Sequence, residues 1–301
     1  MENNIIFRQG LKEFTANDID HIQDVVKRFP RLSRNELAKT LCEHLNWVSP
    51  SGASKVTGCL TLLERLADQD LVVLPDKSAC GRLTPDKPPL MTHRTLEKPL
   101  IKGLLKEFSP IKLQLLHDKE SVQLSNEYIQ RYHPLKFRRP FGHWLRYFLL
   151  AEDEPLGCLL ISGAAKALHH RDHWIGWSVA ERRSNLSWVI NNSRYLIFPW
   201  VQIPHLASHV LAQLTRCVVK DWEDRWGYRP VLMETFVDPE QYSGTCYKAA
   251  GWQNLGMTTG EGIVRPGKHY TTSPKAIFVK PLNRRFRSLL CSEQLQGRII
   301  E

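Results

Sequence analysis

The sequence predicts an α/β protein in two parts: a small helical module, then a mixed sheet with helices on both faces. Three observations carry this. Apolar residues recur at helical spacing through residues 15–68, the period of a stripe buried on one side. From residue 110 onward helical and strand-like stretches alternate, as in a sheet covered by helices. Between them, residues 76–109 are Pro-rich and basic, the composition of a linker or extended arm. The 301 residues leave room for two domains, and 42% hydrophobic with 24% charged residues excludes a disordered chain. No stretch approaches the ~20 apolar residues that span a bilayer. The opening MENNIIFRQGLKEF lacks a basic segment followed by an apolar one, so no secretory leader and a cytoplasmic location are expected, with no membrane partner.

In the front module, Thr15 to Phe29 reads as an amphipathic helix with Ile19, Ile22, Val25 and Val26 inward, ended by Pro30. Ser33-Arg34-Asn35-Glu36 is a capping box opening a second helix to Trp47. After the turn Ser49-Pro50-Ser51-Gly52, a third helix runs from Ser54 to Asp68 with Val56, Leu60, Leu63 and Leu66 inward, and Leu71–Pro75 closes as a strand. Three helices, a tight turn before the third and a closing strand fit a winged helix-turn-helix, whose third helix would present Ser54, Lys55, Thr57 and Thr61 to nucleic acid. A three-helix bundle that docks a protein fits the same pattern.

In the second part, Ile111 to Leu116 reads as a strand and Glu120 to Tyr132 as a helix. Trp144 to Leu150 and Leu156 to Ser162 form a hairpin around Glu152-Asp153-Glu154-Pro155. Ala180 to Ile190 reads as a helix and Arg194 to Val201 as a central strand. A long helix from His205 to Trp226, a strand from Val231 to Val237, a short helix from Tyr242 to Ala250 and a strand from Ile277 to Val279 complete it.

Charge is uneven along the chain. Residues 1–75 carry 9 basic and 10 acidic side chains, residues 76–150 carry 14 and 7, residues 151–260 carry 10 and 11, and residues 261–301 carry 8 and 3. The excess in the middle and at the C-terminal end points to a polyanion, with DNA as the expected partner. The seven cysteines are widely spaced without a C-x-x-C, so neither a disulfide framework nor a zinc site is expected.

The runs RDHWIGWS, NLSWVINNSRYLIFPWVQIPHLASHVL and YRPVLMETFVDPEQYSGTCYKAAGWQNLGMTTGEG resemble the Druantia anti-phage system protein A family, as does LSRNELAKTLCEHLNWVSPSG near the start. The resemblance implies a role around phage defence or mobile elements in bacteria, beside other defence-system proteins. The order of elements in the second part is also similar to the GCN5-related N-acetyltransferases. That resemblance implies a coenzyme A site at the turn Gln202–Ser208 and a general acid at Tyr247, within Cys246–Trp252. The turn has no glycine, and a Cβ there hinders close approach of phosphate to the backbone. The cofactor therefore stays open.

Candidate catalytic residues are Glu234, at the end of a buried-looking strand, with Tyr247, Thr245 and Asp172. A desolvated Glu234 would serve as a base; a structural ion pair with Arg171, Arg182 or Arg194 is the other reading. Candidate nucleic-acid contacts are Lys55, Thr57, Arg171, Asn191, Asn192, Arg194, Arg284, Arg285 and Arg287. Asn191-Asn192-Ser193 also has the chemistry of a turn, and Arg284–Arg287 that of a solvated tail. A strand-cutting enzyme would need Asp172, Glu234 and Asp238 to converge on metal ions. His169, His170 and His173 match no metal-ligand spacing and read as a solvated loop. Trp174, Trp177, Trp188 and Trp200 offer stacking faces or, more simply, core.

Overall fold

A computed structural model describes residues 5–10, 12–29, 32–49, 54–75, 88–140, 142–260 and 273–292. The chain divides into two compact units, residues 1–83 with 261–271, and residues 84–260 with 272–301.

The first unit is a hairpin followed by three helices. Strands β1 (Ile5–Gln9) and β2 (Lys12–Thr15) pair antiparallel, a hairpin ahead of the expected helices. Helix α1 (Ala16–Arg28) starts at Thr15 and α2 (Arg34–His44) at Ser33, each through a reciprocal capping box that satisfies free amides of the first turn. Helix α3 (Val56–Asp68) buries Cys59, Leu62, Leu63 and Leu66, a face rotated from the expected one. Ile19, Ile22, Val25 and Val26 are buried as expected, and Phe14 meets Trp47 edge-on at 5.1 Å. Leu71–Pro75 forms no strand; the only β-bridge in the loop before α3 joins Val48 and Ser54 among the described residues.

The second unit is built on a seven-stranded mixed sheet. Its strands are β4 (Ile111–Leu115), β5 (Trp144–Ala151), β6 (Glu154–Gly163), β7 (Val189–Ile197), β9 (Leu232–Val237), β10 (Gln253–Met257) and β11 (Ala276–Pro281), in the order β10-β11-β9-β7-β6-β5-β4. Every pairing is antiparallel except β7 with β9. Two-residue strands β3 (Ile101–Lys102) and β8 (Val201–Gln202) pair separately, in parallel. The helices are α4 (Lys119–Tyr132), α5 (His169–Ile175), α6 (Val179–Asn185), α7 (Leu206–Trp226), α8 (Thr245–Ala249) and α9 (Phe286–Leu290). Helix α7 buries Leu206, Val210, Leu211, Leu214, Val218 and Trp222, a stripe at helical spacing. None of the described helices is long and apolar enough to cross a membrane.

Several expected elements are corrected. The helix expected over Ala180–Ile190 stops at Asn185, and a 3-10 turn leads into β7 at Val189. The central strand therefore starts five residues earlier than Arg194, and Asn191, Asn192 and Ser193 are strand residues rather than a turn. Residues 88–109, expected as part of a linker, pack on the second unit: the backbone and hydroxyl of Thr92 donate to Glu127, and the Ile101 amide donates to the Trp200 carbonyl at 2.8 Å. The histidine run is helix α5, not a loop, with His169, His170 and His173 exposed. Helix α9 anchors the basic run through buried Phe286 and Leu290, so Arg284, Arg285 and Arg287 are exposed on a fixed element rather than a solvated tail.

Candidate functional site: a cleft between two parallel strands

Strands β7 and β9 pair only through Val189–Asn191 and Leu232–Glu234. Beyond that they separate. The register of β7 against β6 shifts between Leu160 and Ile161, leaving Ser193 as an extra residue on β7. Such a bulge bends and twists its strand, and it falls where the pairing with β9 ends. The gap is a cavity of about 580 Å³. Its walls are Asn192, Ser193 and Tyr195–Ile197 of β7, Thr235–Val237 of β9 with Asp238 and Lys275, the loop and first turn of α8 from Gln241 to Tyr247, Ala207 of α7, and His133–Leu135 after α4.

Tyr247 is buried in this wall, and burial pushes its phenol up from the ordinary range, so it keeps its proton at neutral pH. Asn192 Nδ2 donates to the Tyr247 oxygen at 3.1 Å, while Thr235 Oγ1 donates to the Asn192 carbonyl at 2.9 Å. The Asn192 Oδ1 is buried with no hydrogen-bond partner. Thr245 is exposed in the first turn of α8, Gly244 is the cap, and the Ser243 and Thr245 hydroxyls are 2.7 Å apart. Burial raises the Cys246 thiol. His133 is pushed down to about 4, first by burial and then by Arg194 and Lys136, so it is neutral at pH 7. Asp238 is ion-paired with Lys275.

Glu234 is not in the cleft wall. It is fully buried and pairs with fully buried Arg171 at 2.8 Å, while accepting the Ala165 amide at 2.7 Å. Arg171 also holds Asp172 at 2.7 Å, and Arg182 holds it at 3.0 Å. Burial opposes ionisation of Asp172, but Arg171, the Leu168 amide and Arg182 outweigh it and keep the carboxyl below its ordinary range. Glu234 and Asp172 thus share one guanidinium, the structural ion-pair arrangement, and Arg171 has no surface to offer nucleic acid. Asp238 is bound to Lys275 instead, and among the described residues no three His, Cys, Asp or Glu side chains stand close enough to hold a metal ion. The convergence that a metal-dependent strand-cutting site needs is therefore absent from the Asp172, Glu234 and Asp238 set.

The nucleic-acid candidates divide. Asn192 lines the cleft, whereas Asn191 does not. Arg194 is half-buried and donates from Nε to the Lys136 carbonyl at 2.9 Å. Lys136, Arg138 and Arg139 are exposed on the loop that follows the cleft wall. The sequence reading missed these three, although LKFRR was a visible basic run with an aromatic inside it. Arg138 lies close enough to depress the Arg194 guanidinium, after burial. Lys55, Thr57 and Thr61 are exposed on the first unit. Trp177, Trp188 and Trp200 are core, and Trp174 stacks on Phe286 with Arg287 over its face.

The start of α7 tests a coenzyme A site. His205 precedes the helix at φ +66°, the left-handed conformation that glycine would favour. Pro204 and His205 thus carry exposed side chains where a glycine-rich turn would leave bare backbone.

Comparisons place the chain among known proteins. It is similar to solved acetyltransferases over the second unit: an aminoglycoside acetyltransferase in complex with coenzyme A and kanamycin (15% identity, 56% of this chain, 95% of that one, TM-score 0.35). A Bacillus subtilis acetyltransferase in complex with coenzyme A shares 10% identity over 56% of this chain and 99% of that one, with TM-score 0.32. A chimeric spermidine N-acetyltransferase from Vibrio cholerae shares 11% over 58% and 96%, with TM-score 0.37. No curated protein matches. The family model described as Druantia protein DruA matches residues 66–270, more than half of the sequence, and this chain belongs to that family.

Proposed function

We propose that this protein is a nucleic-acid-binding component of bacterial anti-phage defence, and that its second unit makes the contact. Membership of the Druantia protein family supports the defence setting. One observation carries the binding: exposed Lys136 and Arg138 gather with Arg194 next to the cleft wall, and none of the three forms an ion pair among the described residues. Uncompensated cations repel one another and favour the arrival of phosphates, whose neutralisation releases counterions. Gel shifts with single- and double-stranded DNA at low salt test this. Binding is expected, weakened at least tenfold in Lys136→Glu/Arg138→Glu. No shift of either DNA by the parent protein at 50 mM salt would sink the proposal.

An acyltransferase-like enzyme is the second reading, favoured by the protonated Tyr247 phenol in the wall of a substrate-sized cleft. The glycine-free start of α7 weighs against it. Calorimetric titration with acetyl-coenzyme A separates the two. No binding heat is expected, and tight saturable binding would favour the transferase.

A further inference from the structure

Four features meet around the β7–β9 cleft that backbone binding alone does not need. The first is its volume, about 580 Å³, within the ~300–1,000 Å³ of sites that enclose a small ligand. The second is Tyr242, which lines the cavity yet is 59% exposed, an aromatic face offered to whatever enters. The third is Asn192, 3% exposed in the cavity wall. One end of its amide meets Tyr247 and the other has no partner. Whichever way the amide is turned, one polar end is left unsatisfied inside the wall. The fourth is the cationic group of Lys136, Arg138 and Arg194, next in sequence to Leu135, Ser193 and Tyr195 of the wall. The only acid in the cavity wall, Asp238, is already neutralised by Lys275 among the described residues.

We propose that the cleft takes one unpaired nucleotide of a nucleic-acid strand, its base against Tyr242 and its edge to Asn192, with the flanking phosphates on Lys136, Arg138 and Arg194. A base carries what the cavity lacks: a flat face to stack on an aromatic ring, and donors and acceptors along one edge that an amide can match. Its faces and its Watson–Crick edge are hidden in a duplex, so the nucleotide enters unpaired or extruded. The phosphates stay outside, where the cations are. Tyr247, behind Asn192, fixes the amide and is a positioning residue for it.

This rests on the reading that the second unit binds nucleic acid, and the test separates the two. Full-length protein is titrated with a strand carrying one unpaired 2-aminopurine, as DNA and as RNA, and with the same strand abasic at that position. Binding is expected to change the 2-aminopurine fluorescence and to favour the intact strand over the abasic one. Tyr242→Ala, at an exposed position, should weaken the intact strand roughly tenfold and the abasic strand hardly at all. Thr245→Trp, also exposed, fills the mouth and should abolish the fluorescence change while leaving abasic binding intact; circular dichroism confirms that both variants are folded. Equal affinity for intact and abasic strands, unchanged by either variant, would overturn the inserted nucleotide and leave backbone binding standing. Failure to bind any strand would overturn both. Full competition by free adenosine monophosphate at concentrations equal to the strand would replace the strand with a free nucleotide as the ligand.

Discussion

Glu234 is a residue whose place on a buried strand fits two chemistries, base or brace, and its partner Arg171 makes it the brace. A carboxylate with no surface is costly to ionise, and here a guanidinium at 2.8 Å and the Ala165 amide at 2.7 Å meet that cost. The pair crosses from β9 to α5, and Arg171 extends the network to Asp172 and Arg182. Removing one member of a buried pair leaves the other uncompensated, typically at about 3–5 kcal/mol. Glu234→Gln keeps the shape and is expected to lower unfolding stability in urea by about 3 kcal/mol, with the midpoint moving and the slope unchanged. Unaltered stability together with lost function would instead restore Glu234 as a chemical base. The sequence placed a glutamate on a buried strand and named Arg171 among three possible partners. It did not decide between base and brace, because that depends on which arginine a separate helix delivers from 63 residues away.

At the level of elements, periodicity was the legible signal and the path between elements was not. Thr15 and Ser33 announced their helices, and α4 and α7 followed from apolar spacing to within a residue of their observed starts. The start of β7 was missed because Leu186-Ser187-Trp188-Val189-Ile190 is apolar enough for either a helix or a buried strand. Its bulge at Ser193 depends on pairing with β6, which no local pattern encodes. The cleft follows from that bulge and from the entry to α8. Gly244 there has φ +70°, and an added Cβ would lie 2.6 Å from the Phe278 ring. Gly176, at the end of α5, has φ +89° but open space around it. Gly176→Ala should therefore cost only the left-handed backbone, about 1–2 kcal/mol. Gly244→Ala should cost clearly more, because Phe278 or α8 must also shift. Equal losses of melting temperature in the two variants would show that Phe278 yields freely and that it does not hold α8 against the cleft.

Over the whole molecule, the distribution of charge favours one of two routes for the proposed nucleic-acid contact. The winged-helix expectation put Lys55, Thr57 and Thr61 on the binding face, and all three are exposed. Yet residues 1–75 carry one more acidic than basic side chain, while residues 76–150 carry twice as many basic as acidic ones. The basic residues at 77, 82 and 87 and those at 265, 268 and 298 lie outside the described residues. What can be placed is Lys136 and Arg138 with Arg194, which the linear sequence separates by more than 50 positions and the bond from Arg194 to the Lys136 carbonyl brings together. Each phosphate contact contributes about 0.7 to the slope of log affinity against log salt for a single strand. If the second unit carries the contact, Lys136→Glu/Arg138→Glu should flatten that slope by about 1.4, and Lys55→Glu should leave it unchanged. The reverse result, a slope that responds to Lys55 and ignores Lys136 and Arg138, would move the contact to the first unit. It would also return its third helix to the role that the turn before it first suggested.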